Sequence, residues 1–337
     1  MGAPPPDGRE SPPEVSPDLL PPLDFVGWPV PPPVRPSAWK RWGRNLLLFA
    51  LTAASIFLTG GLRSGELPDG RTLWALDVAS GLRLVAGLLA ILLAHEMGHY
   101  LMCRRHGVDA TLPFFIPAPF LSMVGTLGAF IRIRAPIPHR RALFDIGVAG
   151  PLAGFVVCLP ILLLGMREAT LVPTDPKADG IFLGEPLLFQ GAERLFYGHV
   201  PDSLTLNLGP LGLAAWFGLF LTALNLIPIG QLDGGHVTYA LLRERAALIS
   251  KVGSWVCVAL VYFGPNWILW AVLVRVLGRR HPRTLDDDEP PGRVRAWVGA
   301  ISLGVFVLCF VPNPIIWSWR DFFDAVGLSS LLRRYGL

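Results

Sequence analysis

The chain has 337 residues, with 29 Lys+Arg against 25 Asp+Glu and a formal net charge of +4. Hydrophobic residues make up 52% but charged residues only 16%, and the mean hydropathy is +0.49. A soluble domain of this length needs more charged surface, and a disordered chain carries less apolar surface, so the composition points to a polytopic membrane protein. A net charge of +4 is too small for a nucleic-acid binder, and the basic residues flank apolar runs instead. Cys103, Cys158, Cys257 and Cys309 lie far apart with no Cys-x-x-Cys pair, which leaves them as buried packing residues.

Residues 1–40 read as a polar, proline-dense tail, polyproline-like and mobile, without the basic start and apolar run of a secretory signal. Residues 41–83 hold the first span and an outer loop. The apolar run from Asn45 to Leu62 carries no charge and reaches about 27 Å at helical rise. Residues 84–247 form the core. Its spans run from Leu84 to Cys103, from Ala142 to Met166 and from Leu206 to Ile229. Arg35, Lys40, Arg41 and Arg44 precede the first span; Arg104, Arg105, Arg132, Arg134, Arg140 and Arg141 separate the second from the third. The segment from Arg167 to Thr205 has only three Lys/Arg in 39 residues. Basic residues stay on the inner side, so the N-terminus belongs in the cytoplasm and the membrane is expected to be the cell membrane.

Between Leu112 and Ile133, Pro113, Pro117 and Pro119 exclude a regular helix, and the stretch from Gly125 to Ile133 mixes glycine with β-favouring residues. Apolar non-helical chain at membrane depth must be buried in protein or line a cavity. The segment is therefore expected to be a re-entrant β-hairpin or loop beside a working site; an interfacial loop on lipid headgroups is the plainer alternative.

Residues 248–337 hold C-terminal membrane helices. Val252 to Leu277 is interrupted at Gly264-Pro265-Asn266, and Arg275, Arg279, Arg280 and Arg283 follow. Basic residues belong inside, so the run is expected to enter and return as a re-entrant helical hairpin with arms of about 17–18 Å. A last span, Ala296 to Val311, then leaves Trp317 to Leu337 as an outer interfacial segment. The expected fold is all-α and polytopic, with about five full spans, the helical hairpin and one small β element.

His95-Glu96-Met97-Gly98-His99 stands inside the second span. Residues four apart share a helix face, so His95 and His99 can bind one ion, while Glu96, one step round, can act as base toward a water the metal activates. Three ionisable residues in an apolar helix need a shared partner, and a cation is the obvious one. Catalytic zinc takes a third protein ligand, for which Asp145, Asp233 and His236 are candidates. Asp145 follows Arg140 and Arg141, where pairing with arginine is the ordinary explanation. Asp233 follows a span broken by Pro228 and Gly230 at a depth matching the histidines, which makes it the better candidate and His236 the weaker. A transporter or ion pathway would also explain buried His, Glu and Asp, but not their zincin spacing.

The two motifs, His95-Glu96-x-x-His99 and Asn225-x-x-Pro228-x-x-x-x-Asp233-Gly234, together resemble the paired signature of the site-2 protease family. The resemblance covers roughly Leu84 to His236 and includes Gly147-x-x-Gly150-Pro151. It implies an intramembrane zinc metalloprotease acting on membrane-anchored protein substrates in the bilayer. It further implies that His95, His99 and Asp233 bind Zn2+, that Glu96 is the general base and that Asn225 holds the substrate backbone or oxyanion. Gly125, Thr126 and Gly128, in the stretch matching the family's glycine-containing loop, would bind an extended substrate strand. The region after His236 matches nothing in the family core.

Overall fold

The computed structural model describes residues 38–66, 72–174, 182–277, 284–288 and 290–316, and the fold lies in the unit that begins at Trp42. The proline-rich stretch up to residue 37 and the segment from Trp317 onward fall outside the described residues. Helix α1 (Ala38–Gly61) leads through a β1–β2 hairpin (Leu62–Glu66, Thr72–Leu76) into α2 (Val78–Arg105). Asp77 starts α2 by accepting the Ser80 backbone N–H, at 3.0 Å. Strands β3 (Phe114–Pro117) and β4 (Thr126–Phe130) precede α3 (Arg140–Glu168), which His139 opens by accepting the Ala142 N–H at 3.0 Å. Beyond α3 lie β5 (Thr170–Pro173), α4 (Leu187–Tyr197) and β6 (Leu204–Asn207), with β5 and β6 antiparallel. Then come α5 (Pro210–Leu226), α6 (Asp233–Leu242), α7 (Arg245–Leu260), α8 (Asn266–Leu277) and α9 (Arg293–Cys309).

Among the described residues, four helical stretches are long and apolar enough to cross a membrane: Trp42–Gly61, Val78–Arg105, Arg140–Glu168 and Arg245–Phe263. Helix α5 is shorter but is the most apolar of the described helices, and it packs with α2 and α3 around one core. Leu88, Ile91 and Leu92 of α2, Cys158 and Leu162 of α3, and Ala215 and Leu219 of α5 are buried there. The four cysteines are buried free thiols, as their placement in apolar runs suggests.

The segment of prolines and glycines is a β-hairpin that runs along α1. It enters at Asn45 of α1, whose amide donates to the Leu112 and Pro113 carbonyls at 2.9 and 2.8 Å. It turns near Ser55, which donates to the Gly125 carbonyl at 2.5 Å. Ten residues of α1 separate the two anchors, so the hairpin penetrates about 15 Å along that helix. Gly125 has φ +79, and a Cβ there would lie 2.7 Å from the Ser55 carbonyl oxygen, so only glycine permits this approach. The β3–β4 register shifts between Phe115 and Pro117. The Thr126 hydroxyl fills that bulge, donating to the Ile116 carbonyl at 2.8 Å and accepting the Gly128 N–H at 3.0 Å.

Helices α7 and α8 pack against each other, with a first arm longer than expected. The first arm begins at Arg245, not Val252, and runs through a 3-10 turn to Phe263. Lys251 does not delay it, because that side chain is exposed on the helix face. The tip residue Trp267 is buried, its ring centroid 6.1 Å from that of Phe310 just past α9. The chain then returns to where α3 starts: Leu285 and Asp286 donate backbone N–H groups to the Ile137 and Pro138 carbonyls at 3.1 and 2.9 Å.

Candidate metal centre

Helix α2 offers His95 and His99 on one face, and α6 offers Asp233 from its first position. Their Nε2 atoms lie 3.1 Å apart, and Asp233 Oδ2 lies 3.5 Å from His95 Nε2 and 3.2 Å from His99 Nε2. A tetrahedral zinc with bonds of 2.0–2.1 Å requires ligand atoms about 3.3–3.4 Å apart. The three observed edges bracket that value, so this donor set fits zinc. All three residues sit at the floor of a cavity of about 270 Å³ that Glu96 and Asn225 also line.

The histidines are oriented by backbone. His99 donates its Nδ1–H to the Ile146 carbonyl of α3 at 2.7 Å, which leaves Nε2 unprotonated toward the metal position. Helix α3 reaches this close because residue 150 is glycine: a Cβ there would overlap His99 Nε2. The Asn225 amide lies 3.2 Å from His95 Nε2, at the end of α5 where Ile227 and Pro228 leave the helix. The turn from Ile227 to Leu232 then swings Asp233 back to the histidines.

Glu96 is buried and accepts the Ile131 backbone N–H. Peptide groups alternate between the two edges of a strand, so Ala129, in phase with Ile131 and on the near side of the bulge, presents its backbone groups on the same edge. Arg132 faces the other way, its carbonyl accepting the Thr111 N–H at 3.0 Å.

The structure thus gathers His95, His99, Asp233, Glu96 and Asn225 into one cavity. It does not put Gly125, Thr126 and Gly128 on the wall; Ala129, Phe130, Ile131 and Ile133 line it instead. Those three residues lie toward the turn, where they build the bulge and the contact with α1. His236 lines the same cavity but is not among the three residues whose ligand atoms cluster. Asp145 is elsewhere, and its arginine is not the neighbouring Arg140 or Arg141. Arg295 of α9 grips it with Nε and Nη2, both at 2.7 Å, and His106 adds a contact at 2.9 Å. Sequence reasoning missed the Ile131 amide and the Ile146 carbonyl, which are main-chain groups without residue-type signal. The Gly147-x-x-Gly150 spacing was the one available sign that another element approaches closely.

Comparison with known proteins agrees with this geometry. The model of peptidase family M50 matches residues 83–263, continuing past His236, where the motifs alone had ended the resemblance. The chain is 30% identical over 273 residues to a protein of Arabidopsis thaliana named probable zinc metalloprotease EGY1, chloroplastic, covering 78% of this chain and 47% of that protein. It is 30% identical over 321 residues to the Oryza sativa subsp. japonica protein of the same name, covering 87% of this chain and 53% of the relative. A probable zinc metalloprotease EGY2, chloroplastic, of Oryza sativa subsp. indica is 32% identical over 228 residues, covering 66% and 40%. The chain therefore spans about half the length of the curated relatives it matches.

Proposed function

Since the chain belongs to peptidase family M50, we propose that it is an intramembrane zinc metalloprotease that hydrolyses peptide bonds of membrane-anchored protein substrates. The observation that carries this reading is the triangle of His95, His99 and Asp233, with edges of 3.1, 3.5 and 3.2 Å, inside a cavity shared with Glu96. The ion-pathway alternative accounts for buried charges but not for this donor geometry.

His95, His99 and Asp233 would hold the metal. Bound zinc supplies Lewis acidity, bringing the pKa of a water toward 7 and polarising a carbonyl. Glu96, one step round α2 and anchored by the Ile131 N–H, takes the proton of the attacking water and passes it to the leaving amine. Asn225 donates its amide N–H to the scissile carbonyl oxygen as charge builds there, a contribution of about 3 kcal/mol in comparable sites. A transmembrane helix shields its own carbonyls, so the substrate must unwind first. The edge of β4 carrying Ala129 and Ile131 offers replacement backbone hydrogen bonds, as in strand addition. This moves the substrate-contacting role from Gly125, Thr126 and Gly128 to the residues at the other end of the strand. The arginine distribution supports a cytoplasmic N-terminus in the cell membrane, with the site opening toward the inner face.

The test is cleavage of a membrane-anchored model substrate by reconstituted full-length chain. Glu96→Gln should keep its zinc and lose activity by several orders of magnitude. Asn225→Ala should lose about 100-fold with metal retained. Cleavage by Glu96→Gln near the wild-type rate would overturn the mechanism.

A further inference from the structure

The family match ends at residue 263, yet residues beyond it touch both elements that support the metal ligands. Arg295, at the start of α9, binds both oxygens of Asp145 at 2.7 Å. Such bidentate arginine–carboxylate pairs are the geometrically specific kind. His106, which closes α2, reaches the same carboxylate at 2.9 Å. Asp145 directly precedes Ile146, and the Ile146 carbonyl fixes His99 through its Nδ1 at 2.7 Å. One carboxylate thus ties the end of the ligand helix α2, the orienting carbonyl of α3 and a helix outside the family core.

A second contact acts on α6, which carries Asp233. Tyr239 donates its hydroxyl to Asp287 at 2.7 Å, and Arg243 donates to Asp288 at 3.0 Å. Arg140 of α3 spans the gap, donating to the Ala240 carbonyl at 2.8 Å and to the Asp287 carbonyl at 3.3 Å. Residues 284–288 therefore lie between the start of α3 and the end of α6, hydrogen-bonded to both.

We propose that residues 284–288 and 290–295 form a clamp, outside the family core, whose Arg295–Asp145 pair positions the Ile146 carbonyl and through it His99, and so sets the affinity of the metal centre. The proposal rests on the zinc reading above. Arg295 and Asp145 are positioning residues; neither touches the metal position. Partners behind a metal-ligating histidine typically carry 10–100-fold in metal affinity.

The experiment is chelator competition for Zn2+ on purified full-length chain, with thermal unfolding followed in parallel. Arg295→Ala and Asp145→Asn should each weaken zinc binding by about 10–100-fold. The double variant should be no weaker than the worse single, because both remove the same contact. Arg295→Lys, which keeps the charge but not the fork, should fall between wild type and Arg295→Ala. Tyr239→Phe removes one hydroxyl at the second contact and should weaken binding less; it serves if a larger change fails to fold. Arg83→Ala breaks an ion pair with Glu168 (3.5 Å) at the opposite end of α2 and should leave zinc affinity unchanged. Folded variants with wild-type affinity, or an equal loss in Arg83→Ala, would overturn the clamp alone. A wild-type chain that bound no zinc while folded would overturn the metalloprotease reading and the clamp with it.

Discussion

Two hairpins enter the bundle from the same arginine-rich end, and they solve the same problem in opposite ways. The α7–α8 hairpin satisfies its backbone internally, so it needs few partners and presents Val252, Trp255, Val256, Tyr262 and Phe263 outward. The β3–β4 hairpin cannot do so. Its carbonyls and amides are met by side chains of Asn45, Ser55, Ser122 and Thr126, and its strands are walled in by α1 and α2. Strand geometry leaves one edge whose backbone groups point at Glu96. The lesson is that irregular backbone at membrane depth persists where protein surrounds it, and there it can serve a site.

The comparison can be broken where the β-hairpin is anchored. Asn45→Leu strands the buried Pro113 carbonyl and the half-buried Leu112 carbonyl, at about 1–3 kcal/mol for the buried one, and should destabilise the chain most. Ser55→Ala removes one donor to Gly125 and should cost about 1 kcal/mol, with partial loss of cleavage as the strand loosens. Val256→Ala or Tyr262→Phe on the helical hairpin should change stability within about 0.5 kcal/mol. Thermal unfolding in one fixed detergent checks all four, and an order with the helical hairpin first would refute the contrast. Its path can be checked too. Impermeant-reagent labelling of a cysteine replacing the exposed Asp288, in a cysteine-free chain in intact cells, should fail from outside; labelling there would mean that the hairpin does not return.

A smaller effect belongs to the opposite end of the bundle, where Glu185 stands beside Glu193. Desolvation and the neighbouring carboxylate push the Glu185 carboxyl up to about 7. A carboxyl raised in the fold favours folding while neutral, and that contribution is lost as pH rises from about 4.5 through 7. Glu185→Gln should therefore be more stable than wild type at pH 8 and no more stable at about pH 3.5, below the unfolded value. An equal gain at both values would show that ionisation is not the cause.

The sequence announced the chemistry better than its supports. His95, Glu96 and His99 could be read from spacing, since a helix repeats every 3.6 residues and side-chain type carries the signal. Asp233 followed from helix-breaking residues and matched depth. The orientation of β4 was not legible, because small residues occupy both faces and alternation gives no phase when neither face is marked. Gly125, Thr126 and Gly128 were singled out through the family resemblance; in the fold they lie at the bend and the bulge, while Ala129 and Ile131 line the cavity. The Arg295–Asp145 pair spans 150 residues, and only the fold brings its partners together. The first arm of the helical hairpin was underread because the apolar run begins at Val252, whereas the helix begins at Arg245 and carries Lys251 exposed on its face.

In the proposed site, His95, His99 and Asp233 hold one zinc while Glu96 does not. Metal analysis of purified full-length chain tests it directly. One zinc per chain is expected in wild type and in Glu96→Gln, and a loss of most of the metal in His95→Ala and in Asp233→Ala. Full occupancy in Asp233→Ala, or loss of zinc in Glu96→Gln with the fold intact, would contradict the account.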